Sequence, residues 1–352
     1  MFRSFTSIMS FAILSALVSS VALAADYPKP IEKAWVAKDF KFHTGEVLPE
    51  LRITYTTIGN PGGSPVLLLH GTMGSASNFL NDQYAGELFG AGQPLDASKY
   101  FIIIPDAVGT GKSTKPSDGL KARFPKYNYE DMVHAQHQLL TEGLGLTHVR
   151  LVMGSSMGGM QTWMWGELYP KFMDLLAPMS STPVPMGGRN WLTRRLVIET
   201  IRRDPDYKDG NYTSQPASLK IADAWFGITT SGGTLAYLNQ APNALAGDKL
   251  MQARLDAPVR GDANDMIYQY EASNDFDTSP ALEKIEARVL AINSVDDERN
   301  PIELGLLEKA IKRVKNGRMF MIPTDADTRG HGTVGFAKFW KVELESFLSG
   351  NK

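Results

Sequence analysis

Gly154-Ser155-Ser156-Met157-Gly158 lies between an apolar run, Val149 to Met153, and a helix-like run from Gly159 to Tyr169. Strand, sharp turn and helix in that order are the setting of a G-x-S-x-G nucleophile elbow. Without that setting the five letters would read as a Gly/Ser loop. Small residues two before and two after the Ser let the backbone turn tightly enough to present one hydroxyl. No other stretch restricts the fold as much. An elbow demands a buried strand before it, a covering helix after it, and a base, an acid and two amide donors from elsewhere in the chain.

The remaining pattern supplies such a frame. Leu51 to Ile58 alternates and is rich in Thr and Ile, which predicts a strand. Val66–Leu69, Phe101–Ile104, Val149–Met153, Arg288–Asn293 and Met319–Ile322 are short and apolar without alternation, with Leu175–Met179 a weaker strand interrupted by Pro178. Helix-like stretches run from Tyr129 to Leu144, Pro301 to Val314 and Gly335 to Leu348. Buried strands separated by helices predict an α/β fold, a mostly parallel sheet with helices on both faces. Residues 184–280 break the rhythm. They offer helical signals at Trp191–Arg203 and Ser218–Thr229 and a loose Gly/Asn/Asp-rich stretch, and are expected to form an inserted helical cap. Core segments 25–183 and 281–352 would flank it.

Residues 1–24 read as a targeting segment: Arg3 as a positive start, Ile8 to Val21 as an apolar stretch, Ala22-Leu23-Ala24 as a cleavage site. The expected mature chain starts at Ala25 and is secreted or periplasmic, with no membrane contact after cleavage. The chain has no cysteine, which excludes disulfides, thiolate nucleophiles and Cys-ligated zinc. Its formal charge is −2 with Lys and Arg scattered among Asp and Glu, so no nucleic-acid footprint is expected. No cofactor and no metal are expected. Gly109-Thr110-Gly111-Lys112-Ser113 imitates the end of a phosphate loop, but Asp106 stands where that motif needs Gly, and the segment reads as a turn after a strand.

In a parallel α/β sheet, chemistry collects at the carboxyl ends of strands. Ser156 ends one strand, Asp296-Asp297 follow another, and His331 lies a few residues beyond a third. A Ser hydroxyl needs an imidazole to take its proton, and a carboxylate to fix that imidazole's tautomer. Of the six His, His331 fits the order Ser, acid, His. His134 and His137, three apart on a helix, read as a solvated face, and His70 as a residue orienting the loop after its strand. Asp297, four residues before Pro301, is preferred as the acid, with Asp296 as the alternative. The amides of Met157 and Thr72 are the candidates for an oxyanion hole, Thr72 because Gly71 and Gly74 let the His70–Gly74 loop fold back over the site.

The chain resembles α/β-hydrolase-fold proteins of the homoserine O-acetyltransferase-like group. The resemblance rests on Asp131-Met132-Val133-His134-Ala135-Gln136 and on the extended elbow through Met160-Gln161. In the cap it rests on Asp204-Pro205-Asp206-Tyr207 followed by Gly210-Asn211-Tyr212. It implies Ser156 as nucleophile, Asp297 and His331 as its partners, and an acyl-enzyme. Members that acetylate homoserine carry Asp after the catalytic His and an Arg six residues before the Asp-Pro pair. Here those positions hold Gly332 and Ile198, and the nearest upstream arginines are Arg194 and Arg195. The leader is a third departure. The expectation is therefore an exported serine hydrolase acting on a small carboxylic ester, with an O-acyltransferase as the alternative. A homodimer is left open. Trp191, Trp225, Phe226, Tyr237, Met266 and Tyr268 either line an acyl pocket or form the cap's own core.

Overall fold

The computed structural model describes residues 26–230, 232–259 and 261–350. The leader therefore lies outside the described residues. Eight strands form one sheet: β1 (Ile31–Lys41), β2 (Val47–Gly59), β3 (Ser64–Leu69), β4 (Tyr100–Pro105), β5 (Val149–Ser155), β6 (Met173–Met179), β7 (Arg288–Ser294) and β8 (Gly317–Ile322). Their order is β1-β2-β4-β3-β5-β6-β7-β8. β1 and β2 pair antiparallel, as do β2 and β4, and every other pairing is parallel.

The central parallel strands are mostly apolar because both of their faces are covered. Alternate residues go to opposite layers. Leu67, Leu69 and Ile103 join one core with Trp163 and Trp165, whereas Val66, Leu68, Ile102 and Ile104 join the other with Phe89, Trp340 and Leu344. The chain runs from β3 to β4 on one side and later returns to β5 on the other, so β3 and β5 bound a switch point. The crevice beyond their carboxyl ends is where a ligand of an open α/β sheet sits.

Between β6 and β7 there is no strand among the described residues. Helices Gly188–Arg202, Leu219–Thr230, Thr234–Gln240, Ala244–Asp256 and Ala263–Glu271 occupy that region. The first, second and last of them share a third apolar cluster containing Val197, Ile201, Leu219, Met266 and Ile267. Ile198, at the position where the resemblance places an arginine, is fully buried in this cluster. The Asp-Pro-Asp-Tyr and Gly-Asn-Tyr segments brace the cap. Asp204 accepts from the amides of Asp206 and Ser218, each at 2.9 Å, while the Tyr207 and Tyr212 hydroxyls donate to Asn264 and Asp262.

Several expected elements differ in detail. The stretch from Tyr129 ends as an α-helix at Gln138 and closes with a wider turn, Leu139–Gly143. The expected helix from Pro301 to Val314 is a single turn, Ile302–Leu304, followed by Leu306–Ile311; it breaks at Gly305, whose φ of 59° no regular helix accommodates. The C-terminal stretch forms two short turns and the helix Lys341–Ser349. Pro178 sits inside β6, opposite Gly154 of β5, without ending the strand.

The helix after β5 approaches the sheet so closely that its glycines are compulsory. A Cβ on Gly158 would lie 2.0 Å from the backbone oxygen of Leu69, and one on Gly154 would lie 2.4 Å from that of Gly158. Backbone cannot give way as a side chain can. Gly158→Ala is therefore expected to destabilise the fold by about 2 kcal/mol or more, the cost of overpacking a tight core. Urea unfolding of the variant against wild type measures it.

Candidate active site

Ser156 follows β5 directly and precedes the helix Met157–Leu168. Its backbone, φ 56° and ψ −114°, is one that L-residues seldom adopt. A Ser before a helix ordinarily turns its hydroxyl back to cap the first amides. Here the side chain makes no such bond. Oγ instead lies 2.8 Å from Nε2 of His331. Nδ1 of His331 lies 2.9 and 3.1 Å from the carboxylate oxygens of Asp297. The structure thus brings Ser156, His331 and Asp297 into one chain of hydrogen bonds from the ends of β5, β8 and β7.

Asp297 is 1% exposed and His331 7%. Burial by itself would raise the Asp297 carboxyl pKa. The His331 charge and the hydrogen bonds from His331, Asn300 and the Arg299 amide outweigh it and hold the carboxyl below the ordinary value. Those partners are the Asn300 amide group on Oδ2 at 2.8 Å and the backbone amide of Arg299 on Oδ1 at 2.9 Å. Asn300 also donates to the Ser180 carbonyl at 3.1 Å, and the Ser180 hydroxyl donates to the His331 carbonyl at 3.0 Å. Asp296 points elsewhere. It accepts from the Thr328 hydroxyl at 2.8 Å and the Gly330 amide at 3.2 Å. It therefore fastens the loop that carries His331 and does not touch the imidazole.

Met157 is the first residue of its helix, and its amide has no acceptor among the described residues, as expected of a helix N-terminus. The Thr72 amide is likewise without an acceptor among them. Thr72 follows Gly71, where an added Cβ would stand 3.5 Å from Cβ of Ser156. His70 shapes this loop. Its Nδ1 donates to the Gly71 carbonyl at 2.8 Å and its Nε2 accepts from the Ala107 amide at 2.9 Å, and burial lowers its pKa so that it stays neutral. Asp106 of the phosphate-loop lookalike accepts from the amides of Ala76 and Lys112, each at 2.8 Å. A Cβ on Gly111 would strike its carboxylate, so the segment closes on itself and leaves no phosphate cradle.

Two cavities, of about 610 and 540 Å³, meet at the site. Met160, Met186, Met319 and Met321 line the first, and the Gly71–Gly74 loop with Phe226 and Met266 lines the second. Gly332 also lines the second, beside His331. Of the cap residues singled out in the sequence, Phe226 and Met266 thus face a cavity. Tyr268 packs into the sheet's core, and its hydroxyl donates to the Phe124 carbonyl at 2.7 Å. Trp225 is exposed. His137 stacks on Tyr169 with ring centroids 3.8 Å apart. Sequence reasoning named Arg194 only as a neighbour of the expected arginine position and missed Asn300, Ser180 and Arg299. Asn300 could have been suspected from its place three residues after the preferred acid; the others carry no local signal.

The alpha/beta hydrolase fold family matches residues 64–216. A probable acyltransferase of Methanothermobacter thermautotrophicus is 27% identical over 89% of this chain and 96% of its own. A homoserine O-acetyltransferase of Moorella thermoacetica is 34% identical over 48% of this chain, and the match spans half of that protein. Among solved structures, an acetylester hydrolase from Corynebacterium glutamicum superposes with a TM-score of 0.77 at 19% identity, covering 91% of this chain and 96% of that one. A likeness at that identity shows the shared fold.

The depressed carboxyl gives a sign for acid stability. A group whose folded-state pKa is lowered contributes stability above its unfolded-state value, about 3.9 for Asp, and loses it as pH falls through the folded value. Asp297→Asn has no such term. From about pH 5 down to pH 3, stability of wild type relative to Asp297→Asn should shift progressively in the variant's favour. Urea unfolding of both proteins across that range checks it.

Proposed function

We propose that this chain, an α/β-hydrolase-fold protein of the homoserine O-acetyltransferase-like group, is an exported serine hydrolase that cleaves a carboxylic ester through an acyl-enzyme on Ser156. The observation that carries the reading is the unbroken hydrogen-bonded series Ser156 Oγ, His331 Nε2, His331 Nδ1 and Asp297. His331 takes the proton as Ser156 Oγ attacks the ester carbonyl. Asp297 keeps Nδ1 protonated, so that Nε2 is the free base, and stabilises the imidazolium. The amides of Met157 and Thr72 receive the oxyanion. The tetrahedral adduct collapses as His331 returns the proton to the departing alcohol, leaving the acyl group on Oγ. Water then gives a proton to His331 as its oxygen attacks the acyl carbonyl, and His331 passes that proton to Ser156 Oγ as the acyl–oxygen bond breaks and the free acid leaves.

Water as acceptor is supported by Gly332, which lines the second cavity without a side chain beside His331. Export is supported by the sequence of residues 1–24 alone. A second reading, an acyltransferase in which a hydroxyl compound replaces water in the second half, is favoured by the likeness to a probable acyltransferase over nearly the whole of both chains.

Ser156→Ala should lose at least about 10⁴-fold in kcat on aryl esters and should fail to react with a fluorophosphonate probe. Wild-type rates in the variant would end the proposal. Acetyl-CoA with homoserine, run beside simple acetyl esters in water, separates the two readings by which mixture is turned over.

A further inference from the structure

The residues common to both cavities are Ser156, His331, Arg194 and Arg299. Two of them are the candidate nucleophile and its base. The other two are guanidinium groups without a carboxylate partner of their own among the described residues. Arg194, on the cap helix Gly188–Arg202, is 2% exposed. Its contacts are poor for a buried cation. Nε reaches Asn190 Oδ1 at 3.4 Å, Nη1 reaches the Ser273 hydroxyl at 3.3 Å, and the group lies over the Tyr270 ring at 5.2 Å. Nη2 has no hydrogen-bond partner among the described residues.

Arg299 is anchored differently. It donates to the Thr229 carbonyl at 2.6 Å, to the Thr229 and Thr230 hydroxyls at 2.9 Å each, and to Asn190 Oδ1 at 3.1 Å. Every one of these acceptors is neutral. Burial first, and the nearby Arg194 charge second, bring its pKa down to about 10. The acid that attracts it is Asp297, which is already engaged with His331. Two like charges are therefore held close together in a partly dry place, and Asp297, the acid whose charge acts on Arg299, is engaged with His331. A cation taken out of water without a counter-ion is costly, and a guanidinium cannot escape the cost by losing its proton. A carboxylate from outside would repay it, because its two oxygens match the fork of a guanidinium.

We propose that Arg194 and Arg299 form an anion-holding subsite at the seam between the two cavities, and that the ester substrate carries a carboxylate. Arg194 makes the contact through Nη2 and its weakly used neighbours. Arg299, with its donors occupied, supplies field and holds Asn190 in place. This deepens the hydrolase reading and rests on it. The subsite is built from other residues than the ones the resemblance assigns to an acceptor carboxylate, since Ile198 stands at that position inside the cap's core. The carboxylate belongs either to the acyl half or to the alcohol half of the ester, because the two arginines border both cavities.

The experiment has one arm for each half. The acyl arm compares the p-nitrophenyl monoester of glutaric acid with the p-nitrophenyl ester of glutaric monoamide. The alcohol arm compares 4-acetoxybutanoate with 4-acetoxybutanamide. In one arm the charged ester should exceed its neutral partner in kcat/KM by about tenfold to a hundredfold, the usual effect of a charged hydrogen-bonded pair. In Arg194→Gln that ratio should fall towards one. Arg195→Gln, an exposed neighbour paired with Glu199, should keep the wild-type ratio. If Arg194→Gln does not fold, Arg194→Lys, which keeps the charge and loses the fork, should lower the ratio partway. Equal or slower turnover of the charged ester in both arms, with Ser156 still reacting with fluorophosphonate, overturns the subsite and leaves the hydrolase. A preference that survives intact in Arg194→Gln overturns the assignment to these residues. Absence of both labelling and turnover overturns both readings.

Discussion

Ser156 occupies a backbone conformation that costs about 1–3 kcal/mol, and the sheet, not the turn, holds it there. The Ser156 amide donates to the Met179 carbonyl at 2.9 Å, tying the bend to β6. On the other side the helix that follows presses its glycine backbone against Leu69 of β3. Between these two constraints the hydroxyl cannot turn back to cap its own helix. Two consequences come from that single refusal. Oγ stays free to meet His331, and the first amides of the helix stay free to meet a negative charge. A relaxed cap would satisfy the helix and abolish both.

The same economy appears at the two adjacent carboxylates. Asp297 is enclosed and acts on the imidazole, whereas Asp296 remains partly open and acts on the loop carrying it. They diverge because the chain turns immediately after β7, with the Asp297 amide donating to the Ser294 carbonyl at 3.2 Å. Asn300 then closes a ring. It holds the Asp297 carboxylate and the Ser180 carbonyl, and the Ser180 hydroxyl holds the His331 carbonyl. The imidazole is thus fixed from its ring and from its backbone, and neither β7 nor β8 could shift without breaking a bond on the other. Positioning of this kind limits how much geometry must be reorganised when charge develops.

The sheet's parallel strands were readable from sequence because burial on both faces demands unbroken apolar runs, a signal needing no partner to interpret. β1 escaped notice for the opposite reason. It is an edge strand, mostly exposed, and Ile31–Lys41 mixes charged and apolar residues without a clean period. The cap helices Thr234–Gln240 and Ala244–Asp256 have little or nothing buried, so no apolar stripe marked them. The strand-end placement of Ser156, Asp297 and His331 was legible because topology fixes which ends of parallel strands face the crevice. Which of the two Asp turns inward was a preference for Asp297, taken from its distance to Pro301, since neighbours in sequence differ only in direction. Arg194 was noticed only as the wrong neighbour of an expected position. Its burial depends on Tyr270 and Ser273, contributed by the helix Ala263–Glu271 and the turn after it, far along the chain.

In the proposed mechanism, the choice between hydrolysis and transfer depends on what competes for the acyl-enzyme. Water is always present, so an acceptor wins only if contacts of its own hold it near His331. The resemblance assigns two such contacts to side chains that are absent here. Gly332 offers no carboxylate, and Ile198 could not be exchanged for an arginine without placing a charge inside the cap's apolar cluster. The chain does carry cations, at the seam of the two cavities next to Ser156. An arginine there grips one substrate through both half-reactions or its first product through one. A carboxylate on the acyl half stays bound until water releases it, and a carboxylate on the alcohol half leaves with the alcohol. In the first case the subsite is filled while the acyl-enzyme waits, and an anionic acceptor would meet an occupied site. A subsite on the acyl side is therefore itself a device against transfer, which couples the choice of substrate to the choice of water.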